Sequence, residues 1–157
     1  MENARPAQPS DLDAILQLAA AMRDELRPMR GGRIWAVREA RPEPLADAYR
    51  NLVERDDALV VVGTVDDVVI GFGTGEVEVL QDGSRLGVVR DLFVDEEARA
   101  VGVGEAMLGA LADFFVAQRC VGIDALALPG HRAAKNFFEE SGLSARAIVM
   151  HRALGEE

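Results

Sequence analysis

The sequence predicts a single mixed α/β domain over residues 1–157, with a mostly antiparallel sheet flanked by helices. Three patterns carry that prediction. A central block of β-branched apolar runs is broken by Asp66-Asp67 and by Gln81-Asp82-Gly83-Ser84, which makes three strands joined by tight turns. Apolar residues recur at helical spacing on either side of that block. The C-terminal third then alternates helix, strand, helix and strand.

Taken in order, Asn3 to Ala7 is a short first strand, and Pro6 makes it an edge strand because proline has no N–H for a ladder. Ser10 and Asp13 resemble a capping box, with Asp in place of the usual Glu. The helix they open carries Leu12, Ile15, Leu18, Ala19 and Met22 on one face and ends near Leu26. Arg27 to Pro42 has no period and contains Gly31-Gly32, so it reads as a loop. A second helix starts at Pro44, a favoured first helical position, and runs to about Arg55. Leu59 to Gly63, Val68 to Leu80 and Leu86 to Val94 form an antiparallel meander. A long helix from Val103 to Arg119 buries Val103, Met107, Leu108, Leu111, Phe114 and Phe115. Ile123 to Leu128 is a buried strand, stopped by Pro129-Gly130. A helix from Arg132 to Ser141 follows, with Gly142 as its C-cap, and Ala145 to Arg152 is the last strand.

Composition narrows the function classes. An apolar fraction of 49% excludes a disordered chain. No apolar stretch is long enough to span a bilayer, and the first thirty residues mix Glu2, Arg5, Asp11 and Asp13 with apolar positions, so neither a membrane span nor a signal peptide is expected. Cys120 is the only cysteine, which excludes an internal disulfide and, with two histidines, leaves no ordinary zinc site without carboxylate help. A soluble, cytoplasmic, metal-free protein is the expectation. The net charge of -10 argues against nucleic-acid binding through a basic surface and would draw cationic amines. One segment opposes that trend: Arg27, Arg30, Arg33, Arg38 and Arg41 lie close together with Glu39 the only acid among them.

The chemistry-bearing segment is Arg99-Ala100-Val101-Gly102-Val103-Gly104, set between a strand and a long helix. The first amides of a helix have no internal partner and carry the positive end of its dipole, and glycines let the main chain approach an anion closely. A P-loop is excluded because no Gly-Lys-Ser or Gly-Lys-Thr is present. The dinucleotide fingerprint fails because Met107 occupies its third glycine position.

What remains, Asp91-Leu92-Phe93-Val94 followed by Arg99-x-x-Gly102-x-Gly104, resembles motif A of the GNAT superfamily of N-acetyltransferases. Ala133 to Leu143, with Phe137-Phe138-Glu139-Glu140-Ser141-Gly142, resembles that family's second conserved helix, and Arg5-Pro6-Ala7 to Leu12 resembles its first strand and helix. The resemblance implies a GNAT-like sheet with splayed central parallel strands and acetyl-CoA as acyl donor. It places the cofactor's diphosphate on the backbone of Arg99, Ala100, Val101, Gly102, Val103 and Gly104. It places the pantetheine arm along Leu92, Phe93 and Val94, with an amide near Leu92 or Phe93 polarising the thioester carbonyl.

The chain departs from the family in three places. The tyrosine that often protonates the leaving thiolate falls on Phe138, which has no proton to give. The frequent asparagine of the same helix falls on His131, a candidate to hydrogen-bond the pantetheine arm or to titrate. Only one strand fits after Leu143 where the family closes with two, so the sheet edge is either exposed or completed by a second chain in a homodimer. For the general base the candidates are Asp91, beside the thioester strand, and Glu76 and Glu78, on one strand face. Direct attack by the amine needs no acyl-enzyme, and Cys120 is structural. The implied activity is acetyl transfer to a primary amine of a small molecule or peptide. The alternative is a CoA-binding regulatory module without turnover. The arginine segment, with Trp35, would line the acceptor side and suit an acceptor bearing a carboxylate or phosphate, or an aromatic one.

Overall fold

The computed structural model describes residues 1–99 and 102–155. Its strands are β1 (Glu2–Pro6), β2 (Ala58–Val65), β3 (Val68–Val79), β4 (Arg85–Val94) and β5 (Gly122–Ala125). Its α-helices are α1 (Leu12–Leu26), α2 (Gly32–Arg38), α3 (Leu45–Val53), α4 (Val103–Ala117) and α5 (Arg132–Glu140). The sheet order is β1-β2-β3-β4-β5. The first three pairings are antiparallel and β4 with β5 is parallel.

Strand alternation sorts the apolar residues to two faces. Val60, Val62, Phe72 and Phe93 point to one face, where α1 contributes Ile15, Leu18, Ala19 and Met22, α2 contributes Trp35, and α3 contributes Tyr49 and Leu52. Val61, Val77 and Val89 point to the other, under Val103, Met107, Leu108, Leu111 and Phe115 of α4. Helix α4 lies almost on the strands because glycines floor this face. A Cβ on Gly63 would sit 2.3 Å from Val103 Cγ1, and one on Gly87 would sit 2.4 Å from the Phe115 ring, so a side chain at either would lift the helix.

Four expectations are corrected. Arg27 to Pro42 is not all loop: α2 forms within it and buries Trp35 and Ala36. Seven residues make two turns, too few for a period to show in sequence. The start of α1 is set by Asp11 and not by Ser10. The buried Asp11 carboxylate accepts from the Gln8 N–H at 2.7 Å and from both Arg5 terminal nitrogens at 2.8 and 3.1 Å. Pro44 opens α3 as its extended N-cap, its carbonyl accepting from the Asp47 and Ala48 N–H groups, and not as the first helical residue. Ala145 to Arg152 forms no strand: residues 144–155 have no regular structure. A strand's hydrogen bonds come from a neighbour, and β5, shorter than the expected Ile123 to Leu128, offers an edge of only 4 residues.

Candidate active site

The parallel pair comes apart halfway along β4. Leu86–Val89 pair with Gly122–Ala125, and Arg90–Val94 continue with no β5 partner. The β3–β4 register shifts between Thr74 and Gly75, which leaves Arg90 as the extra residue of a bulge at the fork. Beyond it, the Asp95 N–H donates to the Ile70 carbonyl of β3 at 2.7 Å. Alternation along an antiparallel ladder then turns the polar groups of Phe93 toward β3 and those of Leu92 and Val94 toward the open side. The expected splay is present, and of the two candidate amides the one on Leu92 faces the gap.

Helix α4 begins at the outer end of the fork. Its N-cap, Gly102, is left-handed at φ 81°, a conformation that suits glycine, and no side chain caps the helix. The Ala106 N–H is bonded to the Gly102 carbonyl at 3.2 Å. The earlier amides, of Val103, Gly104 and Glu105, are those that helix geometry leaves without internal partners. Ala100 and Val101 of the expected diphosphate loop lie outside the described residues. The Phe137 ring lies against Gly104, where an added Cβ would meet it at 3.4 Å. Phe137 and Phe138 are half-buried, stack edge to face at 5.5 Å and pack against the α4 core. The first amides of α4 offer the donor chemistry that an anionic group such as a diphosphate requires.

The side chain of Arg99 is committed to the protein itself. Its Nε donates to the Val94 carbonyl at 2.9 Å, a terminal nitrogen reaches both Glu25 oxygens at 2.8 and 3.0 Å, and the guanidinium lies 5.2 Å from the Phe93 ring centroid. A cleft of about 230 Å³ beside it is lined by Ala21, Glu25, Phe93, Asp95, Glu96 and Arg99, and its acids make it a poor place for phosphate. A wider hollow of about 500 Å³ at Glu78–Asp82, on the β3–β4 turn, is open and remote from the fork. His131 sits half-buried at the start of α5, and burial lowers its imidazole, with Glu25 opposing and Arg99 reinforcing the shift.

The carboxylates named from sequence lie on the face of α1, α2 and α3, and two of them share one arginine. Arg41 Nε donates to Asp91 Oδ2 at 2.8 Å, and its terminal nitrogen donates to Thr74 Oγ1 at 3.0 Å and to Glu76 Oε2 at 3.1 Å. The Thr74 hydroxyl donates to Asp91 Oδ2 at 2.7 Å. Asp91 is only 4% exposed. Burial works against the Arg41 charge, and the Asp91 and Glu76 carboxylates outweigh it. Arg41 also lies 5.6 Å from the ring centroid of Tyr49, whose hydroxyl is pushed far up by burial and by Asp91. Glu76 is half-buried and is held on its other oxygen by Arg55 at 2.7 Å, while Glu78 is exposed. Sequence reasoning missed Thr74 and the keystone role of Arg41. It also missed Asp124 of β5, which the pairing Glu76, Val88, Asp124 sets in the same row as Glu76. The Arg146 guanidinium bonds Asp124 and holds its carboxyl below the usual range. Only strand register reveals these neighbours, and no local pattern signals it. Among the described residues no group of three or more His, Cys, Asp or Glu could hold a metal ion, and no helix is long and apolar enough to cross a membrane.

A sheet forked between two parallel strands, with an uncapped glycine-started helix at the fork, defines the class of acetyltransferases built on this fold. The sequence profile of the Acetyltransferase (GNAT) family matches residues 19–143, and the chain belongs to that family. Solved structures repeat the fold over the whole chain. A tetramutant of a Bacillus halodurans protein superimposes with a TM-score of 0.78 at 18% identity, covering 96% of this chain and 99% of that one. AAC(6')-Iy, in complex with a CoA bisubstrate analog, gives 0.74 at 16% identity with 99% of each chain covered. Glucosamine-6-phosphate N-acetyltransferase from Arabidopsis thaliana gives 0.72 at 16% identity, again with 99% of each covered. No curated protein matches the sequence significantly.

Proposed function

We propose that this chain is a single-domain cytoplasmic N-acetyltransferase that transfers an acetyl group from acetyl-CoA to a primary amine by direct attack. The observation that carries the reading is the open side of β4, Leu92 and Val94, leading to the uncapped start of α4. Acetyl-CoA supplies the activated thioester. The amides of Gly102, Val103 and Gly104, together with Ala100 and Val101, hold its diphosphate by dipole and hydrogen bonds. Leu92 and the Val94 N–H pair with the pantetheine arm as a strand would, the Val94 carbonyl being held by Arg99, with Phe93 behind them in the core, and Phe137, Phe138 and His131 flank the arm. The Leu92 N–H polarises the carbonyl and takes up the negative charge that grows on its oxygen. The amine nitrogen forms the C–N bond, the C–S bond breaks, and the thiolate leaves to be protonated by water.

The amine's surplus proton passes to a carboxylate. Asp91 is closed off by Arg41 and Thr74, and Glu78 lies toward the far turn. Glu76, half-buried at the rim of the network, receives the proton through water, while Asp91 positions Arg41 behind the bulge. On the acceptor side, the Met29–Gly31 turn packs against Leu128–Gly130 and so reaches over the fork. Arg27, Arg30 and Arg33 are exposed there, and among the described residues none has an ion pair. Trp35 is buried and is unavailable as an aromatic platform. This supports an amine that also carries a phosphate or carboxylate, the chemistry named in the Arabidopsis neighbour.

Calorimetric titration with acetyl-CoA, ATP and NAD tests the cofactor, and thiol release across amino-sugar phosphates, amino acids, polyamines, aminoglycosides and peptides tests the acceptor. Binding of ATP or NAD in preference to acetyl-CoA would end the proposal. A second reading, a CoA-binding regulatory module, has one observation in its favour. The only tyrosine is Tyr49, fully buried in the core, so no phenol is available to protonate the thiolate. Tight CoA binding with no thiol release from any amine would select it.

A further inference from the structure

Arg99 turns back onto the strand it has just left. The Asp95 carboxylate accepts from the Glu97 N–H at 3.0 Å, and the Asp95 carbonyl accepts from the Ala98 N–H at 2.9 Å, which winds Glu96–Ala98 into one tight helical turn. Beyond that turn Arg99 Nε donates to the Val94 carbonyl at the end of β4. The Phe93 ring stands against the guanidinium. Glu25, 74 positions away on α1, engages one terminal nitrogen with both carboxylate oxygens. The two side chains are 37% and 25% exposed, so the pair is partly shielded from water and salt.

The carbonyl is the consequential partner. Past the fork, the main-chain groups of Leu92 and Val94 face the gap with no β5 residue to meet them. Arg99 takes the outermost acceptor of that edge. An extended ligand laid along it finds both groups of Leu92 and the N–H of Val94, and its pairing ends there. That end coincides with the start of α4, since the Val94 side chain lies 3.9 Å from where a Cβ on Gly104 would stand. Arg99 does not keep this place unaided. Fixing a long arginine side chain costs much rotamer freedom, and one hydrogen bond to a carbonyl offsets little of it. The Glu25 carboxylate, carried on α1, supplies the charge-assisted bond that holds the guanidinium where it is.

We propose that Glu25 is a positioning residue for the coenzyme. By holding Arg99 on the Val94 carbonyl, it fixes where along β4 the arm stops pairing, and so where the thioester carbonyl stands relative to the Leu92 N–H. The role rests on the acetyltransferase reading. It assigns the Arg99 side chain to the strand and leaves the diphosphate to the main chain of α4.

Two variants test this with spectra that need no acceptor. Glu25→Gln removes the charge that holds Arg99, and Arg99→Lys keeps a cation but has one nitrogen for two tasks. In the free parent, the Arg99 Nε–H should give a resolved nitrogen–proton signal protected from exchange with water, and in Glu25→Gln it should rejoin the solvent-exposed arginines. With acetyl-CoA carrying carbon-13 at the thioester carbonyl, the bound resonance should lie downfield of the free coenzyme in the parent and return toward it in both variants. Calorimetric affinity should stay within about threefold of the parent in both, because the amides of α4 are unchanged. An unprotected Nε–H in the parent, or the same carbonyl shift in the parent and both variants, would overturn the role of Glu25. An affinity change of about tenfold or more with the carbonyl unmoved would make the Arg99 side chain a direct ligand of the diphosphate and overturn it too. Failure of the parent itself to bind acetyl-CoA would overturn the acetyltransferase reading along with this role, and titration of the parent alone tells that case apart.

Discussion

Arg41→Met tests whether the buried network behind the bulge is held by one cation. In the parent, the Asp91 carboxylate accepts from Arg41 and Thr74 and is 4% exposed. Glu76 keeps Arg55 at 2.7 Å when Arg41 is removed, so the loss falls on Asp91. Removing one partner of a buried ion pair leaves an uncompensated charge and costs about 3–5 kcal/mol. Against a total stability of roughly 5–15 kcal/mol, the variant should be marginal. Urea unfolding followed by circular dichroism measures it. Adding Asp91→Asn to Arg41→Met removes the orphaned charge and should recover at least half of the loss, because a neutral amide can still accept from Thr74. A cost below about 1 kcal/mol for Arg41→Met, or no recovery in the double variant, would show that the network is not held as described.

Gly104→Asp places a carboxylate where an added Cβ already meets Phe137 at 3.4 Å. A negative charge in the first turn suits the helix dipole, so the fold should persist while acetyl-CoA affinity falls at least tenfold in calorimetry; unchanged affinity would remove the diphosphate from this loop. Glu76→Gln should lower kcat at least tenfold with KM for acetyl-CoA little changed, whereas Glu78→Gln should leave kcat in place; the reverse pattern would transfer the base to another carboxylate. Burial lowers the His131 imidazole below the ordinary ~6.5 of histidine, so its contribution to stability is complete above that pH and is lost as pH falls through the lower folded value. The urea midpoint of the parent should therefore drop more steeply below neutrality than that of His131→Gln, and parallel slopes would contradict the burial of that ring.

Most elements were legible because their signals are local. The turn at Asp66-Asp67 and the glycine turn at Gly83 separate strands by backbone conformation, with Asp66, Asp67 and Gly83 all at positive φ. The stripe of α4 repeats at helical spacing, and all of it except Phe114 is fully buried. The glycine start of α4 was read from Gly102 and Gly104 for the same reason. Helix α2 escaped because two turns show no period, and the last strand was overread because a β-branched run does not say what it pairs with.

The sequence by itself determined the strands of the meander, the two long helix faces and a glycine-started helix that follows the fourth strand, since each depends on residues a few positions apart. The tertiary structure alone decided that Arg41 joins Thr74, Glu76 and Asp91, that Asp124 enters the same row, and that residues 144–155 find no place in the chain's own sheet. Those outcomes follow from strand register and from which edge lies free. Both are set by contacts between residues tens of positions apart, and no local pattern of side chains encodes them.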